Sequence, residues 1–206
     1  MTSLQFIFPE IIPALNRNGQ AVLSGEVWRL ITPLFIQPAG LWQCLVNGVF
    51  FISFLPIAER LYGRSLILIY FGTGIVGQIV NSYWATTPGG ISTSGGGSST
   101  ALNGVIGSLI MFILLNRKTF PKGYFLMPIA GFLGATVLVF FEDGHAASLL
   151  VGGLLGFYTS PKQPENLLPI CRHDSQPELN GEVAYCVCNL LATIQINSLP
   201  LYDDLK

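Results

Sequence analysis

Two side chains far apart in the chain, Ser99 and His145, each stand at the head of a separate apolar stretch. A serine hydroxyl is a weak nucleophile until a neighbouring base takes its proton, and an imidazole is the side chain best suited to that task near neutral pH. Brought together, the pair would support acyl transfer. The side-chain amides of Gln43 and Asn47 lie four residues apart, and so on one face of a helix. With the backbone N–H of Ser99 they are donors of the kind that stabilise a developing oxyanion. The glycines at 95–97 would let the backbone come close to a substrate strand. No carboxylate lies inside the apolar stretches. Glu142 and Asp143 read as solvated loop charges, so a Ser–His dyad is expected rather than a triad.

The elements that must position these groups are set by composition. Half of the 206 residues are hydrophobic and only 10% are charged, against about 25% in soluble domains, and the mean hydropathy is +0.56. No acidic residue occurs between Glu59 and Glu142. Such a stretch must face lipid or other helices. A formal net charge of -1 and the lack of a basic run argue against nucleic acid as a partner. The four cysteines are too few for a disulfide scaffold. Cys171, His173, Cys186 and Cys188 form C-x-H and C-x-C pairs that depart from zinc-ligand spacing, so neither a metal nor a cofactor is expected. Acidic Glu10 and the lack of an early basic cluster argue against a cleavable signal peptide.

A helical span needs roughly 20 mostly apolar residues. Five stretches qualify or nearly do, at 41–58, 65–84, 100–115, 123–141 and 145–158. The expected fold is therefore all-α, a polytopic transmembrane helical bundle of about five spans, in a multi-pass protein of a cell or organelle inner membrane. Residues 1–40, broken by Pro9, Glu10 and Pro13, read as an extra-membrane or interfacial segment, with Trp28 and Arg29 suited to the headgroup layer. Residues 41–160 form the transmembrane domain. Residues 161–206, rich in proline and polar groups, read as a partly disordered cytosolic tail. Arg60 and Arg64 follow the first span, and Arg117, Lys118 and Lys122 follow the third, so by the positive-inside rule both connections are cytoplasmic. The first, third and fifth spans then start at the outer face, and with them Gln43, Ser99 and His145.

Small residues supply close approach between spans. Ser148, Gly152 and Gly156 recur at every fourth position, and Gly104, Gly107 and Ser108 line the third span. Gly72, Gly74 and Gly77 spell GxGxxG, but inside an apolar span and with no acidic residue about 20 positions on; they read as a packing ridge, not a nucleotide site.

Taken in order, Trp28-Arg29 with Thr32 and Phe35, Gln43-x-x-x-Asn47, Glu59, Gly63, the run from Gly97 to Ala101, Gly104, Gly107, and His145 ahead of Gly152 resemble the rhomboid intramembrane serine proteases. The resemblance implies Ser99 as nucleophile, His145 as general base and Asn47 as oxyanion donor. It implies transmembrane protein substrates and the lipid bilayer as partners, and no particular oligomeric state. Gln43 stands where the family usually has histidine, Thr100 replaces the second glycine of GxSG, Ser148 replaces the first glycine after the histidine, and Asn103 stands where a ring-stacking aromatic is common. Residues 1–40 do not supply the family's first core helix. Two functions follow from the resemblance: a serine endopeptidase of single-span membrane proteins, or a non-catalytic relative that binds transmembrane helices.

Overall fold

Helix is present in each of the five apolar stretches in the computed structural model, which describes residues 2–86, 95–117, 126–140 and 143–160. Two short helices, α1 (Ile11–Leu15) and α2 (Gly19–Leu23), precede the five longer ones. These are α3 (Leu41–Tyr62), α4 (Ser65–Thr86), α5 (Ser99–Leu115), α6 (Leu126–Phe140) and α7 (Gly144–Thr159). The described residues are otherwise 3-10 turns and loops, with one isolated antiparallel bridge between Arg17 and Gly95. Lys118, Lys122, Glu142 and the tail residues Cys171, His173, Cys186 and Cys188 lie outside the described residues, as does the whole of 161–206.

Length separates the helices into two groups. At 22 residues each, α3 and α4 are long and apolar enough to cross a bilayer, since 22 residues of helix rise about 33 Å. Shorter are α5, α6 and α7, with 17, 15 and 16 residues. Helix α3 runs one turn past its expected end. It stops at Gly63, whose φ of +52° only glycine adopts readily, with the Gly63 N–H donating to the Glu59 carbonyl at 2.7 Å. Large apolar side chains such as Trp42, Ile52, Ile67, Leu133 and Tyr158 point outward. So extensive an apolar exterior suits a surrounding of lipid.

The closest packing joins α5 to α7, and glycine makes it possible. A Cβ on Gly152 would land on the Gly104 carbonyl, one on Gly107 would land on the Leu149 carbonyl, and one on Gly156 would sit 2.7 Å from the Ser108 Cα. The two backbones are in direct contact. Helix α4 closes against both in the same way. A Cβ on Gly77 would strike the Ser148 Oγ and the Thr100 Cγ2, and one on Gly74 would come within 2.8 Å of Leu34. Of the GxGxxG glycines, Gly74 and Gly77 thus make close packing contacts, while a Cβ on Gly72 would meet only ordinary contacts. Where hydroxyls enter these seams they bond to backbone: Ser148 donates to the Thr73 and Gly144 carbonyls, both at 3.1 Å, and Tyr62 to the Ser108 carbonyl at 2.6 Å. Buried polar groups in a seam of this kind are tolerated because they are satisfied.

The segment ahead of α3 folds back over the ends of α4 and α5. Arg29 is one of its staples, with Nη1 donating to the carbonyls of Pro13 (3.0 Å) and Asn16 (2.7 Å) and Nε paired with Glu26 at 2.6 Å. This corrects the expectation of a headgroup cation. Trp28 is half exposed, while the Arg29 side chain is turned inward to satisfy carbonyls that short helices leave unpaired. Thr32 adds a bond to the Leu15 carbonyl at 2.8 Å. A second arginine, Arg17, is buried and reaches Gln78 of α4 at 3.2 Å. Burial lowers its pKa to about 10, which leaves it charged at neutral pH.

Replacing Gly152 with valine should force α5 and α7 apart and lower stability by about 1–3 kcal/mol, the usual cost of overpacking. Thermal unfolding in detergent micelles reads this directly. The same change at Gly134, whose Cβ would meet nothing within 4 Å, should leave the midpoint nearly unchanged.

Candidate active site

Ser99 and His145 meet. The Ser99 Oγ and the His145 Nε2 are 2.9 Å apart, within the range for direct proton transfer. Each is placed by the start of its helix. Helix α5 begins one residue earlier than hydropathy predicts, so Ser99 occupies its first position. There its backbone N–H has no partner within the helix. The chain arrives through Gly97, whose φ of +135° is open to glycine alone, and whose N–H donates to the Pro33 carbonyl at 2.7 Å.

His145 is the second residue of α7, and Asp143 is the residue before that helix. The Asp143 Oδ1 accepts the backbone N–H of His145 at 2.9 Å, an N-cap bond. The same oxygen lies 2.9 Å from the His145 Nδ1. A carboxylate only accepts, so Nδ1 carries the hydrogen, and in the neutral ring Nε2 is left as the acceptor facing Ser99. Asp143 is therefore not the detached loop charge expected from sequence. The contact is an ion pair only when the ring carries both protons; Asp143 and His145 are 36% and 46% exposed.

Of the two amides, Asn47 is held against Gln37 and Gln43 against the segment that leads into Ser99. Gln43 bridges it, with Oε1 accepting from the Ala39 N–H at 2.9 Å and Nε2 donating to the Gly96 carbonyl at 2.9 Å. Asn47, which is buried, donates through Nδ2 to the Gln37 Oε1 at 2.7 Å. Each amide keeps a second N–H for another acceptor. Asn103 donates to the Ser99 carbonyl at 2.9 Å, along its own helix.

Gln37 links these parts. Its Nε2 donates to the Ser98 Oγ at 3.1 Å, its Oε1 accepts from Asn47, its N–H donates to Gln5 at 2.7 Å, and its carbonyl accepts from Gln5 at 3.0 Å. Gln5, Gln37, Asn47 and Ser98 are all buried. An open apolar cleft of about 350 Å³ between α3 and α4 reaches Gln37 and Ser98 from behind and is lined neither by Ser99 nor by His145. Sequence reasoning missed Gln37, Ser98 and Asp143. For Asp143 a signal existed, because an Asp two residues before His145 caps its N–H and thereby brings the carboxylate to the ring. For Gln37, flanked by Ile36 and Pro38, no periodicity or motif singles it out.

Comparison with known proteins gives the family. The family model described as Rhomboid domain matches residues 24–162. "Putative rhomboid protease YdcA" of Bacillus subtilis (strain 168) is 30% identical over 148 residues, which is 69% of this chain and 72% of that protein. No solved structure gives a significant match.

Substituting Gln37 with leucine would orphan the amide of Asn47 and the hydroxyl of Ser98 together. Leaving buried polar groups unpaired costs about 1–3 kcal/mol each. A drop of the thermal midpoint in micelles, accompanied by slower labelling of Ser99 by a fluorophosphonate, is the expected result.

Proposed function

This chain belongs to the rhomboid family, and from that premise we propose that it is an intramembrane serine endopeptidase of single-span membrane proteins. The observation that carries the reading is the 2.9 Å contact between the Ser99 Oγ and the His145 Nε2. Attack of Oγ on a scissile carbonyl carbon passes the hydroxyl proton to Nε2 and forms a tetrahedral oxyanion. The Ser99 N–H and the second amide hydrogens of Asn47 and Gln43 are the available donors for it. Collapse breaks the C–N bond, the imidazolium returns its proton to the leaving amine, and water then hydrolyses the acyl-serine with His145 again as base.

The same reading sets topology. Arg60 and Arg64 between α3 and α4, and Arg117 after α5, place those turns on the cytoplasmic side of a multi-pass protein. Ser99 and His145 then sit towards the outer face of a cell or organelle inner membrane. A substrate helix would enter sideways from lipid and unwind near its outer end. Extended backbone at that depth is tolerated only where protein or water satisfies it, which is the service the polar groups at 95–99 offer.

Ser99→Ala and His145→Ala should each reduce cleavage of a reporter transmembrane peptide by roughly 10⁴-fold or more. Asn47→Ala should lose about 10²–10³-fold. Fluorophosphonate labelling that requires both Ser99 and His145 supports the enzyme. Absence of labelling in folded protein would instead favour a helix-binding relative without catalysis.

A further inference from the structure

We propose that Asp143 is the positioning residue of the base: its carboxylate fixes the His145 ring in the Nδ1–H form and aims Nε2 at Ser99. This inference rests on the protease reading for its consequence but not for its geometry. Two bonds of 2.9 Å converge on one oxygen, from the backbone N–H and from Nδ1 of the same residue. The first fixes where the oxygen lies relative to α7. The second then fixes the ring, because an imidazole held at Nδ1 and anchored at Cα has little freedom left about its two side-chain torsions. Ser99 approaches the opposite nitrogen at 2.9 Å. The order is carboxylate, ring, hydroxyl, the same order of roles as in a serine-protease triad.

Among the described residues, the polar side chains nearest the ring have other partners or lie beneath the helix start. Asn103 of α5, one turn after Ser99, sends its amide hydrogen to the Ser99 carbonyl. Asn81 of α4 is buried where a Cβ on Gly144 would be, beneath the start of α7. Ser148, one turn below the ring residue, is fully buried and donates to Thr73 and Gly144. Among the described bonds, Asp143 and Ser99 are the two partners of the imidazole. As the ring takes the serine proton, the carboxylate faces the new positive charge. Asp143 itself gains no proton and touches no reacting atom.

The chain has only two histidines, which makes a direct test practicable. Full-length protein carrying His173→Gln, labelled with ¹⁵N-histidine and placed in micelles, reports the tautomer of His145 alone. The expected spectrum is the Nδ1–H form. Asp143→Ser keeps an N-cap acceptor but cannot also reach the ring; it should keep the thermal midpoint, release the tautomer, and slow fluorophosphonate labelling of Ser99 by about tenfold or more. Asp143→Asn keeps one oxygen for both N–H groups, so it should retain the tautomer and label faster than the serine variant. An Nε2–H ring with Asp143 present, or equal labelling rates with aspartate and serine at 143, would overturn the proposal. If wild-type protein shows the expected tautomer yet never labels, the protease reading fails while the positioning stands.

Discussion

Direct contact between the backbones of α5 and α7 is the constraint on which the rest depends. A serine side chain has one torsion and an imidazole two, so whether Oγ meets Nε2 is set largely by how the first turns of the two helices lie against each other. Gly104, Gly107, Gly152 and Gly156 remove the intervening atoms. Helix α4 presses into the same seam through Gly74 and Gly77. Without a hydrophobic drive between helices in lipid, shape of this kind and a few satisfied hydroxyls are what holds such a seam closed.

A second layer of constraint fixes the strand ahead of Ser99. It is irregular backbone, and its carbonyls and N–H groups need partners. Arg17 takes the Gly95 carbonyl through its N–H, Gln43 takes the Gly96 carbonyl, Pro33 accepts from Gly97, and Gln37 takes the Ser98 hydroxyl. Most of these partners lie ahead of α3, in a segment that is itself stapled by Arg29 and Gln5. The N-terminal segment is thus structurally continuous with the site, although by composition it reads as a peripheral piece.

What the sequence revealed and what it hid divide along physical lines. Hydropathy located the five longer helices to within a few residues, and small-residue spacing located the seam, because both are periodic signals averaged over many positions. Ser99, His145, Gln43 and Asn47 stood out as polar groups at the heads of apolar runs, where each demands an explanation. Single contacts that depend on tertiary placement were hidden. Gln37 has no pattern around it, and Arg29 was read from its neighbour Trp28 as a surface cation when the unpaired carbonyls of Pro13 and Asn16 draw it inward. By loop charge Asp143 reads as solvated, and by capping it reads as bound to the start of α7. The two are compatible, since a carboxylate at a helix start can be partly solvated and still hold an N–H two residues on.

The four departures from the family pattern have a common character. Gln43 replaces a ring with a side chain that is donor and acceptor at once, and it uses both ends, on Ala39 and Gly96. Thr100 is buried with its methyl group against the surface that Gly77 leaves bare. Ser148 fills the place of a glycine but returns its hydroxyl to two carbonyls. Asn103 bonds to the carbonyl of Ser99 and so braces the first turn of α5. Each change is absorbed locally by a bond or a complementary surface, and none leaves a buried polar atom of its own unpaired. Here the replacements leave the first turns of α5 and α7 and the segment leading into Ser99 under local restraint.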